Sequence, residues 1–133
     1  VILLDTHALL WLDRDDPALG PASRECIRTA WAGGGLAVSS ISFWEVAMLA
    51  TRGRITLHQA PGSWHREWLQ AGLVEIALDG ALALAAVELE AFHADPADRF
   101  IVATALARGA TLLTADRAIL EWPGPLLRQA AGE

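Results

Sequence analysis

The chain contains no lysine; all ten of its basic residues are arginine. That absence excludes phosphate enzymes that need a lysine ammonium beside the phosphoryl group. Cysteine is almost as scarce. The single Cys26 forms no intrachain disulfide and builds no cysteine-rich zinc site, which fits a reducing, cytoplasmic setting. Charges or glycines interrupt every long apolar run. No stretch of about 18 uncharged apolar residues is present, so no transmembrane helix is expected. No basic segment with a cleavage site is present either, so no secretory signal is expected. The net charge of −6 argues against a large non-specific nucleic-acid footprint, which normally carries a basic balance. At 133 residues the expectation is a single domain, 1–133, long enough to bury a proper core.

What is present alternates in kind. Val1 to Leu4 is a short, wholly apolar run that stops at Asp5 and reads as a buried parallel strand. Further strands are expected at Leu36 to Val38, Leu73 to Leu78 and Thr111 to Ala115, with Leu126 to Gln129 as a last edge strand. Helices are expected at Thr6 to Leu12, Ala22 to Trp31, Phe43 to Thr51, Pro61 to Ala71, Gly80 to Phe92 and Ala97 to Arg108, and in a short piece ending at Glu121. Glycines at 33–35, 72 and 109 punctuate them. Short apolar strands alternating with helices predict an α/β fold, with a mainly parallel sheet covered by helices on both faces.

In such a fold the C-terminal strand ends share one edge of the sheet, where ligand sites sit. Asp5 closes the first strand, Glu45 follows the second, and Asp116 follows the fourth. Asp98 arrives from the helix side: Asp95 fits an N-cap, Pro96 the first helical position, and Asp98 the first turn. Asp98 also shares a face with Ile101 and Val102, and a carboxylate on a buried edge is costly unless satisfied. Each acid has a plainer reading. Asp5 and Asp116 suit helix caps, and Ser42-x-x-Glu45 matches a capping box. If the helix instead starts at Ser39 or Ser40, Glu45 shares a face with Ile41, Met48 and Leu49 and needs a partner. Taken together, the acids converge on one edge. Clustered carboxylates repel and raise one another's pKa. A divalent cation resolves that repulsion, and carboxylates with water suit Mg²⁺ or Mn²⁺. Such an ion polarises a phosphodiester and acidifies a water, so the residues alone point to a phosphate-ester hydrolase.

Leu3-Leu-Asp5-Thr-His7, Ser42-x-Trp44-Glu45, His93-x-Asp95-Pro-x-Asp98-Arg99 and Leu113-Thr-Ala-Asp116 resemble, in order and spacing, the PIN-domain ribonucleases. The resemblance is to the VapC toxins of type II toxin–antitoxin pairs and spans essentially the whole chain. It implies a three-layer α/β/α sandwich with a four- to five-stranded parallel sheet, and an endoribonuclease dependent on Mg²⁺ or Mn²⁺. It maps the family's acids onto Asp5, Glu45, Asp98 and Asp116. Asp5, Asp98 and Asp116 become the metal set, Asp5 and Asp98 as direct ligands and Asp116 as a ligand or the holder of a metal-bound water, and Glu45 orients or deprotonates the attacking water. It gives Thr114 a carboxylate or a phosphate to bond, and Arg99 an RNA contact or a neighbouring acid. It further implies RNA as substrate, a homodimer, and an antitoxin gripping helices near the site. Two departures are Ala97, where a bulky apolar residue is common, and a first residue that is Val1.

Other residues divide evenly or toward structure. His7 and His93, beside acids, read more readily as structural than as substrate contacts. His58 and His65 read as surface residues. Trp64 and Trp68, four apart on one helix, suit core and partner patch equally. Arg52 and Arg54 suit RNA phosphates and the helix dipole equally. Receiver-type phosphoacceptor domains and haloacid-dehalogenase-type phosphatases also place acids at strand ends, but normally use the lysine this chain lacks. The remaining alternatives are a catalytically silent PIN-like partner-binding domain and another acid-cluster phosphate-ester hydrolase.

Overall fold

A computed structural model describes residues 1–93 and 95–133; Ala94, inside the His93-to-Arg99 motif, lies outside the described residues. Five strands form one sheet: β1 (Ile2–Leu4), β2 (Leu36–Ser39), β3 (Val74–Ile76), β4 (Thr111–Thr114) and β5 (Arg128–Ala130). Their order is β3-β2-β1-β4-β5 and every pairing is parallel. β1 is central, with Leu4 opposite Val38 on one side and Leu113 on the other. The helices are α1 (Thr6–Asp13), α2 (Pro21–Ala32), α3 (Ser40–Thr51), α4 (Pro61–Gln70), α5 (Gly80–Val87), α6 (Pro96–Arg108) and α7 (Arg117–Leu120).

The alternation of strand side chains divides the core in two. Leu3, Ala37 and Leu112 face one layer, where they pack with Leu82 of α5, Ile101, Val102 and Ala105 of α6, and Ile119 of α7. Leu4, Leu36, Val38 and Leu113 face the other, with Leu9 of α1, Ile27 of α2, Val46 of α3 and Trp64 of α4. This is the expected three-layer sandwich. Burial on both faces explains why the inner strands β1, β2 and β4 are continuous apolar runs, which the edge strands β3 and β5 are not.

Several boundaries differ from the sequence expectation for local reasons. β3 begins at Val74 because Gly72 (φ +103°) and Leu73, whose amide donates to the Trp68 carbonyl (3.1 Å), finish the turn after α4. α5 stops at Val87 rather than Phe92. Ala91 is left-handed (φ 56°), and the Arg99 guanidinium takes the carbonyls of Ala86, Leu89 and Phe92. α3 starts at Ser40, three residues early, with Ser39 as its N-cap. β5 lies at Arg128–Ala130, shifted toward the C-terminus, where it pairs with Leu112 to Thr114. Pro96 opens α6 behind the Asp95 N-cap, and Gly109 ends it with φ 59°, both as read from the sequence. Among the described residues no helix is long and apolar enough to cross a membrane.

Candidate active site

The chain runs from β1 outward through β2 to β3, then returns to the other side of β1 for β4 and β5. The strand order therefore reverses between β1 and β4, and the crevice beyond their C-terminal ends is the ligand position of an open α/β sheet. A cleft of ≈ 330 Å³ lies there, lined by Asp5, Thr6, His7, Trp11, Glu45, Asp95, Asp98, Ala115 and Asp116. Four acids singled out in the sequence thus line one cavity, and Asp95 is a fifth.

Each acid is placed by its element. Asp5 follows β1 and caps α1, its Oδ1 accepting from the Ala8 amide at 2.7 Å. Asp116 caps α7 through Ala118 (2.8 Å). The fully buried Thr114 hydroxyl joins the two: it accepts from the Asp116 amide (3.0 Å) and donates to Asp5 Oδ2. Thr114 therefore meets a carboxylate, one of its two expected partners. Capping and clustering were alternatives in the sequence; here Asp5 and Asp116 do both. Glu45 is not the third residue of a capping box, because α3 starts at Ser40 and Glu45 sits beyond the first turn. Its carboxylate accepts from the Thr6 hydroxyl, which lies 2.9 Å from Ser42 Oγ. Thr6 was not among the sequence candidates. Only the Asp-Thr pair at the end of the first strand signalled it.

Burial and mutual repulsion shape the electrostatics. Burial raises the Asp5 carboxyl, against hydrogen bonds from Thr114 and Ala8 that lower it. Burial also raises Glu45, opposed by Thr6 and reinforced by the charge of Asp95. Asp98 is the most perturbed. It is pushed up to about 8 by burial and then by the charges of Asp95, Asp116, Glu45 and Asp5. Burial, reinforced by the neighbouring acids, thus disfavours the ionised form of Asp98, and a bound cation would favour it.

The donor set fits a divalent cation. Asp98 and Asp116 each present a carboxylate oxygen, and these lie with a His93 ring nitrogen within 4.8 Å of one another. Hard carboxylate oxygens facing an open cleft are the chemistry of a Mg²⁺ or Mn²⁺ site. Asp5 reaches the same cleft from β1.

Arg99 does not face this cleft. Its guanidinium donates to the carbonyls of His93 (2.9 Å), Ala86 (3.0 Å), Leu89 (3.3 Å) and Phe92 (2.8 Å), and it pairs with no acid among the described residues. It satisfies the open carbonyls at the end of α5 and ties that turn to α6. Trp64 is buried and Trp68 half-buried against the same core layer; both indoles donate to Asp13 Oδ1 (3.0 and 3.1 Å). His65 meets Glu75 (2.7 Å) on the flank of the sheet. Arg52 and Arg54 lie exposed beyond the C-terminal end of α3. Trp44, beside Glu45, is 57% exposed.

Comparison with known proteins bears on this arrangement. The family model described as the PIN domain matches residues 2–123. Ribonuclease VapC22 of Mycobacterium tuberculosis (strain ATCC 25618 / H37Rv) is 37% identical over 117 residues, covering 87% of each chain. A toxin–antitoxin complex from Klebsiella pneumoniae superposes with a TM-score of 0.68 at 21% identity, over 98% of both chains. VapBC2 from Rickettsia felis, bound to a DNA fragment from its promoter, superposes with a TM-score of 0.72 at 16% identity, over 96% of both. These two likenesses concern the fold.

Proposed function

The chain belongs to the PIN-domain family, and from that membership we propose that it is a metal-dependent endoribonuclease acting as the toxin of a toxin–antitoxin pair. The observation that carries the proposal is the convergence of Asp5, Glu45, Asp98 and Asp116 on one cleft at the strand-order reversal. The 37% identity to a protein named a ribonuclease supports it. So does the toxin–antitoxin setting of the solved structures that share the fold.

Asp98, Asp116 and Asp5 would hold the Mg²⁺ or Mn²⁺. That ion supplies polarisation of the scissile phosphodiester and a more acidic water. The protein's own contribution is positional. Thr114 and the Ala8 amide fix both oxygens of Asp5, so its orientation is set before substrate arrives. The Thr6 hydroxyl holds Glu45 Oε1 and leaves Oε2 to take a proton from the attacking water. The raised pKa of Glu45 makes it a better base at neutral pH than an ordinary carboxylate. The Arg99 guanidinium and the Thr114 hydroxyl are engaged within the protein, by backbone carbonyls and by Asp5, which supports structural rather than RNA-binding roles for both.

An antitoxin is the proposed partner. The acidic cleft and the net charge of −6 suit a basic segment whose arginine stands in for the cation. A homodimer is proposed alongside. The direct test is cleavage of single-stranded and looped RNA by the purified protein. Cleavage should require Mg²⁺ or Mn²⁺, and Asp5→Asn or Asp98→Asn should abolish it while the protein stays folded. Cleavage that survives chelation, or survives both substitutions, refutes the proposal. A folded protein with no hydrolase activity under any of these conditions is instead a silent partner-binding domain.

A further inference from the structure

Among the described residues, His93 is the one histidine whose ring nitrogens both approach the acid-bearing segment. Nδ1 accepts from the Asp95 amide at 3.3 Å. A ring nitrogen that accepts carries no proton, so in the neutral ring the proton is on Nε2. Nε2 is buried and lies 3.3 Å from Asp98 Oδ2 without the alignment of a hydrogen bond. A buried N–H left unmade is costly, and here its nearest acceptor is a carboxylate at that distance. A small rotation of the Asp98 side chain completes the bond. The ring is steadied from behind by Phe92, whose centroid is 4.4 Å away.

The same atoms admit another role, with Nε2 as a direct metal ligand beside Asp98 and Asp116. That role needs the lone pair on Nε2 and the proton on Nδ1, which would set an N–H against the Asp95 N–H. Metal-bound histidines normally give that second proton to an acceptor. The Asp95 amide therefore selects against ligation.

We infer that His93 is a positioning residue: the Asp95 amide fixes its tautomer, and its Nε2–H holds one oxygen of Asp98 so that the other is presented to a cation. The inference rests on the metal-dependent reading above. It adds to that reading a chain running from the Asp95 amide through the imidazole to Asp98. Asp95 thus has two uses: its side chain caps α6 and its amide sets the ring.

The test combines three measurements on the intact chain. The first is the ¹⁵N spectrum of histidine-labelled wild-type protein without metal, in which the His93 ring should show a protonated Nε2; a protonated Nδ1 overturns the inference. The second is Mn²⁺ affinity, measured by titration with Mn²⁺ alone. His93→Phe, which keeps the ring stacked on Phe92 but has no nitrogen, should bind about 10–100-fold more weakly, as losses of orienting groups do. His93→Gln, whose amide N–H can reach the Nε2 position, should recover most of the loss. Melting curves confirm that both variants fold. Unchanged affinity in His93→Phe overturns the inference and leaves the proposed function standing. No Mn²⁺ binding by the wild-type protein overturns the metal-dependent reading and this inference with it. The third is pulsed EPR of the Mn²⁺ complex with ¹⁵N-labelled histidine. The expected spectrum shows no directly coordinated imidazole nitrogen; a nitrogen coupling lost in His93→Phe but kept in His7→Asn makes His93 a ligand and overturns the positioning role.

Discussion

Replacing Asp98 with asparagine in metal-free protein should raise stability above neutral pH. Asp98 is pushed up to about 8, first by burial and then by four neighbouring carboxylates. An acid whose folded-state pKa lies above its unfolded value contributes stability that is complete below the unfolded pKa. That contribution is lost as pH rises through the folded pKa. For Asp98 the window runs from about pH 4 to about pH 8. At 1.36 kcal/mol per pH unit the ceiling is about 5–6 kcal/mol. The side chain is 21% exposed, and solvent and salt screening reduce the effect to about 1–3 kcal/mol. The N-terminus of α6 works the other way, favouring the ionised carboxylate by about 0.3–1 kcal/mol. Repulsion and desolvation win, leaving a net gain of about 1–2 kcal/mol for asparagine at pH 8.5. In a domain of this size that is about 3–8 °C in melting temperature. The assay is a set of thermal melts of both proteins in chelator, from about pH 4.5 to about pH 9. The difference should be small at the acidic end and grow steadily with pH. A clear loss of stability for Asp98→Asn at pH 8.5 would mean that the helix dipole outweighs the cluster, and the repulsion argument fails.

Two further substitutions test the supports around the cleft. Arg99→Lys should cost about 2–4 kcal/mol in urea unfolding, because a point-charge ammonium cannot serve the four carbonyls that the guanidinium fork reaches. A cost near zero would show that the end of α5 is satisfied by other means. Thr6→Val should lower RNA cleavage about 10–100-fold, as loss of an orienting hydrogen bond does, while changing stability by only about 1 kcal/mol. Full activity in that variant would remove Thr6 from the account of Glu45.

The three inner strands, β1, β2 and β4, were legible because they are buried on both faces and read as apolar runs that stop at an acid, a serine or a threonine. The acids at strand ends were legible for the same reason: a carboxylate directly after Leu4, or two residues after Thr114, has nowhere to go but the sheet edge. α6 declared itself through Asp95, Pro96 and Gly109, each a residue with a specific backbone role. Less was visible where a long-range contact decides. The end of α5 depends on Arg99, thirteen residues beyond Ala86 in sequence, and a lone arginine carries no mark of which carbonyls it will take. The start of α3 lay among Ser39, Ser40 and Ser42, all good caps, and the choice of Ser39 turned Glu45 from a capping partner into a cleft residue. The roles of Thr6 and His93 depend on angles and on an amide from a neighbouring residue, which spacing does not encode.

The central claim is that these acids hold a cation together rather than merely capping separate helices. Its most direct test is the melting shift produced by Mn²⁺. At about 100 times its Kd the ion should stabilise the wild-type protein by roughly 2.7 kcal/mol through mass action, about 7–10 °C for a domain of this length. Asp98→Ala should lose most of that shift. An equal shift in both proteins, or none in the wild type, contradicts the claim.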